Sequence, residues 1–262
     1  MRLLLRYLFL LCSLSLMPAG QVVAGLPDTI DKIRGSVVGI GTVFPNKGPD
    51  GRGQLPTFRG TGFVVGNGRQ VVTNFHVIQK PLDNEKKELL AVFSGEGKAS
   101  RVYPANLIRT DEAHDLALLE IAGPALPPLV VESSRTLREG EEVAFTGFPI
   151  GLVLGLQPVT HRGIVSAVTP IVMPVMSSAT LTAAQIKRAR QPFEVYQLDA
   201  TAYPGSSGSP VYDVETGRVV AVINSVFVKE SKEAMLHNPS AISYAIPSAY
   251  VNALLEAAAA AQ

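Results

Sequence analysis

Beyond the first two dozen residues the chain alternates short apolar, β-branched runs with clusters of Gly, Pro and Asn, and helical periodicities are few. Residues 33–44 read as a first strand and residues 45–58 as a polar loop rich in Gly and Pro. Residues 61–65 and 70–74 flank Gly66-Asn67-Gly68-Arg69, a hairpin signal, because Asn-Gly supplies the positive φ that tight β-turns require. Further strands are predicted at 89–93, 98–107 and 115–121, followed by a proline-rich crossover at 124–128. A second series follows at 142–145, 157–169, 193–200, 210–212, 218–228 and 241–246. The two series predict an all-β protein of two packed six-stranded β-barrels, about 30–123 and about 129–247. Residues 248–260 read as a short C-terminal helix, with Ser248 as its cap, Tyr250, Val251, Leu254 and Leu255 as its inner face and a fraying alanine tail.

Three segments stand outside this pattern. Residues 1–24 carry Arg2 and Arg6, then an apolar run, then Pro18 and small residues, the layout of a secretory signal with cleavage after Ala24. An uncleaved membrane anchor is the alternative, although the run is shorter than the roughly 20 residues of a spanning helix. Residues 173–191 and 229–240 interrupt the strand plan and read either as surface insertions or as mobile elements beside a site.

Composition narrows the function classes. With 23 basic and 22 acidic side chains and no long basic run, the chain offers no nucleic-acid surface. The single cysteine, Cys12, lies in the leader, which excludes an intramolecular disulfide and a Cys-rich metal site in the body. No metal-ligand spacing or phosphate-cradling loop stands out, so no metal and no cofactor are expected. Export without disulfides points to a bacterial envelope compartment or secretion.

The candidate chemistry centres on Tyr203-Pro204-Gly205-Ser206-Ser207-Gly208-Ser209-Pro210. A serine nucleophile needs a sharp turn with N–H groups converging where negative charge will develop, and Gly205 and Gly208 permit such a turn around Ser207. Taken alone, a Gly/Ser/Pro cluster also marks an ordinary loop. There are four histidines, and His76 sits at the end of the predicted hairpin, whereas His114, His161 and His237 read as solvated or locally bonded side chains. Asp115 opens an apolar strand, where a buried carboxylate could orient an imidazole; a turn or cap role is its alternative, and Asp111 is its nearest competitor.

These blocks, in this order, resemble the chymotrypsin-fold serine peptidases, most closely the disulfide-free Deg/HtrA-type bacterial proteases. Carrying the likeness are Thr61-Gly62-Phe63-Val64-Val65, Val72-Thr73-Asn74-Phe75-His76-Val77, Asp115-Leu116-Ala117-Leu118-Leu119 and Asp199 through Pro210. Phe148-Pro149-Ile150-Gly151-Leu152, Gly163-Ile164-Val165-Ser166 and Ser243-Tyr244-Ala245-Ile246-Pro247 are similar to further blocks. The resemblance implies a chymotrypsin-like fold, with Ser207 attacking a peptide carbonyl, His76 taking its proton and Asp115 orienting His76. It further implies an oxyanion hole from the N–H groups of Gly205 and Ser207, and a specificity pocket near Thr201, Ala202 and Ala245. Its strand at Ser243, Tyr244 and Ala245 should pair with an extended substrate by its edge. With no charge at these pocket positions, small or medium aliphatic residues are the expected cleavage sites.

The sequence departs from that family at Ser209, where glycine is usual. It has no room after Pro247 for the peptide-binding PDZ domain of many members. The segment 173–191 is longer than expected, and is expected to control whether the oxyanion hole is formed at rest. The sequence thus predicts an exported serine endopeptidase acting on polypeptides through an acyl-enzyme. The alternative is a catalytically silent protease-fold protein that holds unfolded chains. An α/β-hydrolase esterase fails on the order of its triad and on the lack of alternating helices. Membrane association follows only if the leader stays uncleaved, and the oligomeric state is left open.

Overall fold

The structure is a computed structural model that describes residues 25–45, 55–133, 135–149, 155–171, 192–224 and 242–261. The leader, the segments 173–191 and 229–240 and the block Ile150-Gly151-Leu152 therefore lie outside the described residues, as does His237.

The first barrel holds β1 (Val37–Val43), β2 (Thr57–Val65), β3 (Gln70–Asn74), β4 (Leu89–Ser94), β5 (Arg101–Asp111) and β6 (Leu116–Ile121). They close antiparallel in the order β1-β2-β3-β6-β5-β4. The second holds β7 (Glu142–Gly147), β8 (Val159–Pro170), β9 (Glu194–Asp199), β10 (Pro210–Asp213), β11 (Val219–Asn224) and β12 (Ile242–Pro247). These close antiparallel as β10-β11-β12-β9-β8-β7. Closure leaves neither barrel an open sheet edge. Two closed six-stranded antiparallel barrels are the predicted architecture and have the chymotrypsin-like arrangement.

One apolar cluster crosses from barrel to barrel. Phe63, Val72, Leu116 and Leu118 of the first lie in it with Ala144, Tyr212, Val222 and Ile246 of the second. The connection between the barrels follows the predicted crossover and is stitched to both. Leu129 N–H donates to Val64 O at 2.8 Å and Val219 N–H to Val130 O at 2.9 Å.

The structure differs from the sequence prediction at several ends. Residues 26–33 form a helix, α1 (Leu26–Ile33), ahead of the first strand. Pro27 suits a first turn, Asp28 Oδ2 accepts the Gly25 N–H at 3.1 Å, and the buried Thr29 and Ile33 fix one face. Four residues after β3 coil into a short helix, α2 (Phe75–Ile78), so His76 leaves the strand on a helical turn. Strand β5 runs on to Asp111, because a bulge at Leu107/Arg109 restores its pairing with β6. The last helix, α3, spans Ser248–Ala259, and Pro247 occupies the cap position in place of Ser248. Its alanine end, expected to fray, is helical to Ala259, and Ala258 packs into the shared core with Val251 and Leu254.

Candidate active site

The loop from β5 to β6 ends at Asp115 with φ of 55°, in the left-handed region that aspartate tolerates better than most residues. That conformation turns both its carbonyl and its carboxylate toward the end of β3. The carbonyl accepts the Phe75 N–H at 3.0 Å and the Asn74 side-chain amide at 3.1 Å. Oδ1 accepts the backbone N–H of His76 at 2.9 Å, and Oδ2 lies 2.6 Å from His76 Nδ1. A carboxylate only accepts hydrogen bonds, so this contact places the imidazole proton on Nδ1 and leaves Nε2 with its lone pair. The Asp115 side chain is 6% exposed and that of His76 18%. The acid is thus shielded while the imidazole reaches the surface.

Asp115 has a further partner that sequence reasoning did not single out. Asn224, wholly buried at the end of β11, donates from Nδ2 to Asp115 Oδ2 at 2.6 Å. The second barrel thereby anchors the acid of the first. A polar residue closing the apolar run Val219 to Ile223 was the available signal.

Ser207 stands in a turn built as glycine placement suggested. Gly205 has φ of 98° and Gly208 of 86°. Ser206 N–H donates to Tyr203 O at 2.9 Å, Ser209 N–H to Ser206 O at 3.0 Å, and Gly208 N–H to Ile223 O at 3.0 Å. Ser207 is 5% exposed. Its carbonyl accepts the Thr61 N–H at 2.8 Å, which ties the turn to β2. Gly60 lets this turn approach the His76 helix: a Cβ there would stand 2.8 Å from a Val77 methyl and 3.0 Å from Ser207 O.

Thr61 is the clip between barrels. Its hydroxyl donates to Gly205 O at 2.7 Å and accepts the Phe148 N–H at 3.0 Å, while its carbonyl accepts the Thr73 hydroxyl at 2.6 Å. Ser209, the departure from glycine, keeps its N–H in the turn, donating to Ser206 O at 3.0 Å, while its Oγ meets no hydrogen-bond partner among the described residues. It is fully buried, and its Oγ fills the space opposite Gly147, where a Cβ would come within 2.0 Å of it.

The residues assigned by resemblance to substrate binding surround the next strand. Ser243 Oγ accepts the Ala202 N–H at 2.8 Å and donates to Ala200 O at 2.5 Å, so this buried hydroxyl braces the segment leading to Thr201 and Ala202. Ala202 and Ala245 lie in one buried cluster. The edge expected at Tyr244 and Ala245 is closed, however. Both residues pair with β9 on one side and β11 on the other, which leaves no free strand edge there for an extended chain.

The other described histidines are separate. His114 Nδ1 lies 2.6 Å from Asp111 Oδ2, with its ring stacked on Tyr250 of α3 at 3.9 Å. Asp111 is therefore committed to a different partner. Burial, the largest influence on its carboxyl, pushes its pKa up, but the hydrogen bonds and charge of His114 outweigh it and hold the pKa below the ordinary value. His161 lies in β8 with its ring stacked on Phe145, and burial lowers its pKa. Among the described residues no three His, Cys, Asp or Glu side chains group as a metal site.

Residues 60–222 match the trypsin-like peptidase domain family. The chain is 31% identical over 201 residues, 76% of its length, to the mitochondrial serine protease HTRA2 of Drosophila pseudoobscura pseudoobscura, of which it covers 39%. It is 28% identical over 209 residues, 78% of its length, to a probable periplasmic DegP-like serine endoprotease of Pseudomonas savastanoi pv. phaseolicola, covering 37% of that protein. To the serine protease HTRA1 of Xenopus laevis it is 30% identical over 224 residues, 85% of its length and 40% of the relative. The chain thus spans about two fifths of the length of these relatives. The match covers both barrels from β2 to β11, including His76, Asp115 and Ser207, and the chain belongs to the trypsin-like peptidase domain family.

Proposed function

We propose that the protein is an exported serine endopeptidase that cleaves polypeptides through an acyl-enzyme formed on Ser207. The observation that carries this reading is the Asp115 carboxylate bound to both the backbone N–H and the Nδ1 of His76. That arrangement fixes the tautomer and stabilises the imidazolium. Ser207 Oγ attacks the scissile carbonyl carbon and its proton passes to His76 Nε2. The resulting oxyanion takes hydrogen bonds from the N–H groups of Gly205 and Ser207, a contribution of about 3 kcal/mol per donor. Collapse breaks the C–N bond as His76 returns the proton to the leaving amine. A water molecule, deprotonated by His76, then hydrolyses the ester. Asn224 and Thr61 are positioning residues, the first acting on Asp115 and the second on the Ser207 turn.

The leader-like residues 1–24 support export, with the bacterial periplasm or secretion as destination. The names of the relatives include both a periplasmic and mitochondrial proteins. Among the described residues no helix is long and apolar enough to cross a membrane.

Fluorophosphonate labelling tests the chemistry. Folded wild type should label at Ser207 and cut casein, and Ser207→Ala and His76→Ala should do neither. Folded wild type that neither labels nor cleaves would refute turnover and favour polypeptide binding without cleavage.

A further inference from the structure

His114 stands immediately before Asp115 in the chain, and the proposed chemistry gives it no part. Strands β5 and β6 pair as far as Asp111 and Leu116, so residues 112–115 form the turn between them. Asp111 grips this turn with both carboxylate oxygens: Oδ1 accepts the backbone N–H of His114 at 3.2 Å, and Oδ2 lies 2.6 Å from its Nδ1. Asp115 holds His76 in the same two-point manner, with the backbone N–H on Oδ1 and Nδ1 on Oδ2. The histidine of one pair is thus the chain neighbour of the aspartate of the other.

The His114 ring is clamped from the other half of the molecule as well. It stacks on Tyr250 of α3 at 3.9 Å with 20° between the planes, and meets Phe193, the residue before β9, edge-on at 4.7 Å. Phe193 and Tyr250 meet each other at 5.2 Å. Phe193 belongs to the apolar cluster shared by the barrels, and Tyr250 packs against it. The clamp is therefore rooted in the core.

A fixed His114 constrains the backbone of Asp115. The Asp115 φ of 55° costs an L-residue energy and persists where its surroundings impose it. The peptide unit joining the two residues is planar, so holding His114 by its N–H and its ring fixes the plane from which the Asp115 side chain departs. Relaxation to a negative φ would swing the carboxylate away from the N–H and Nδ1 of His76. Asn224 and the end of β3 hold Asp115 from its far side, and the Asp111–His114 pair holds the chain that leads into it.

Resting on the reading of this chain as a peptidase, we propose that His114 is a positioning residue: locked between Asp111, Tyr250 and Phe193, it holds Asp115 in the backbone conformation that sets its carboxylate on His76. Helix α3 thereby becomes part of the support of the active site. A misplacement of about 1 Å in such a site costs on the order of 10²-fold in rate, so the effect falls on turnover rather than on substrate binding.

The test compares His114→Leu, Tyr250→Leu and Tyr250→Phe with wild type, as full chains, in kcat and KM on one peptide that wild type cleaves and in the rate of fluorophosphonate labelling of Ser207. Urea titration shows which variants are folded, and if one Leu variant does not fold the other decides. Each folded Leu variant should lower kcat and the labelling rate at least about tenfold, with KM changed by less than about twofold. Tyr250→Phe keeps the stacked ring and should recover at least about half of the wild-type kcat. Lowered stability with kcat unchanged, a change in KM alone, or a loss in Tyr250→Phe equal to that in Tyr250→Leu would each overturn the assignment.

A second measurement needs no turnover. A proton held in a short bond between an imidazole and a carboxylate is strongly deshielded, and His76–Asp115 and His114–Asp111 are two such pairs at 2.6 Å. The downfield 1H signal lost in His76→Ala belongs to the first pair, and the one lost in His114→Leu to the second. In folded His114→Leu and Tyr250→Leu the His76 signal should move upfield or vanish, and an unchanged signal in both overturns the proposal. Wild type that neither labels nor cleaves would sink the peptidase reading, and the His76 signal would still decide whether His114 holds Asp115.

Discussion

Asn224→Asp exchanges a donor for an acceptor at one atom of the buried site. In the wild type Asn224 Nδ2 donates to Asp115 Oδ2 at 2.6 Å, with Asn224 wholly buried and Asp115 only 4% exposed. In the variant two carboxylate oxygens meet there. At an effective dielectric of about 20, two unit charges at this spacing repel by about 6 kcal/mol, so the folded pair retains one proton. Holding that proton on a carboxyl of ordinary pKa about 3.9 costs about 4 kcal/mol near pH 7 and about 1.5 kcal/mol near pH 5. The folded variant binds a proton that its unfolded chain has lost, so its stability falls as pH rises. Urea unfolding of wild type, Asn224→Asp and Asn224→Leu from about pH 5 to about pH 7 reads this directly, and the loss in the Asp variant should grow by about 1.4 kcal/mol per pH unit. Asn224→Leu should lose about 2 kcal/mol with little pH dependence, the value of a hydrogen bond to a charged group. An Asn224→Asp loss equal at both ends of the range would refute the contact and the anchoring role built on it.

Asp115→Asn should lower kcat/KM about 10³- to 10⁴-fold with the fold retained, because an amide mis-specifies the His76 tautomer; a loss under about tenfold in peptide cleavage would sink the orienting role. Gly208→Ala should cost more than about 3 kcal/mol of unfolding free energy, since its Cβ would meet Thr61 O at 2.0 Å at a φ of 86°. Gly140→Ala, at the same φ of 86° but with nothing within 4 Å, should cost only about 1–2 kcal/mol, and equal losses would show that the turn does not pack on β2. The lowered Asp111 pKa means stability that is present above its unfolded value of about 3.9 and is lost as pH falls through the folded pKa. His114→Gln removes the partner, so its stability deficit against wild type should shrink as pH falls below about 4; a deficit constant down to about pH 2.5 would contradict the pairing.

The barrels were legible because each strand carries its own local signal: β-branched runs, and turn residues between them. Gly66 and Gly68, with φ of 57° and 81°, are where the hairpin pattern placed a turn. What the sequence hid was of two kinds. One was helical turns too short for a periodicity, such as Phe75–Ile78, and α1, whose helix is set by Pro27, Asp28 and contacts to the distant residues Val214 and Glu215. The other was partners distant in sequence: Asn224 is 109 residues from Asp115, and Thr61 is 144 from Gly205. Spacing along a chain carries no information about such pairs. The resemblance selected His76, Asp115 and Ser207, but the supports that hold them emerge only when the barrels meet.

Those supports make the docking of the barrels and the geometry of the site one set of interactions. His76 and Asp115 come from the first barrel, and Ser207 from the second. Between them run the Asn224–Asp115 bond at 2.6 Å, the Thr61 N–H to Ser207 O bond at 2.8 Å and the Thr61 hydroxyl to Gly205 O bond at 2.7 Å. Each is buried or partly buried, so losing one takes a partner from a polar group that is at least partly shielded from water. A small slip between barrels would therefore break these bonds together rather than bend them singly. That coupling gives Ser207 and His76, the proposed nucleophile and base on separate barrels, a fixed relation without a disulfide, and it places the constraint at Thr61 and Asn224, neither of which need touch a substrate.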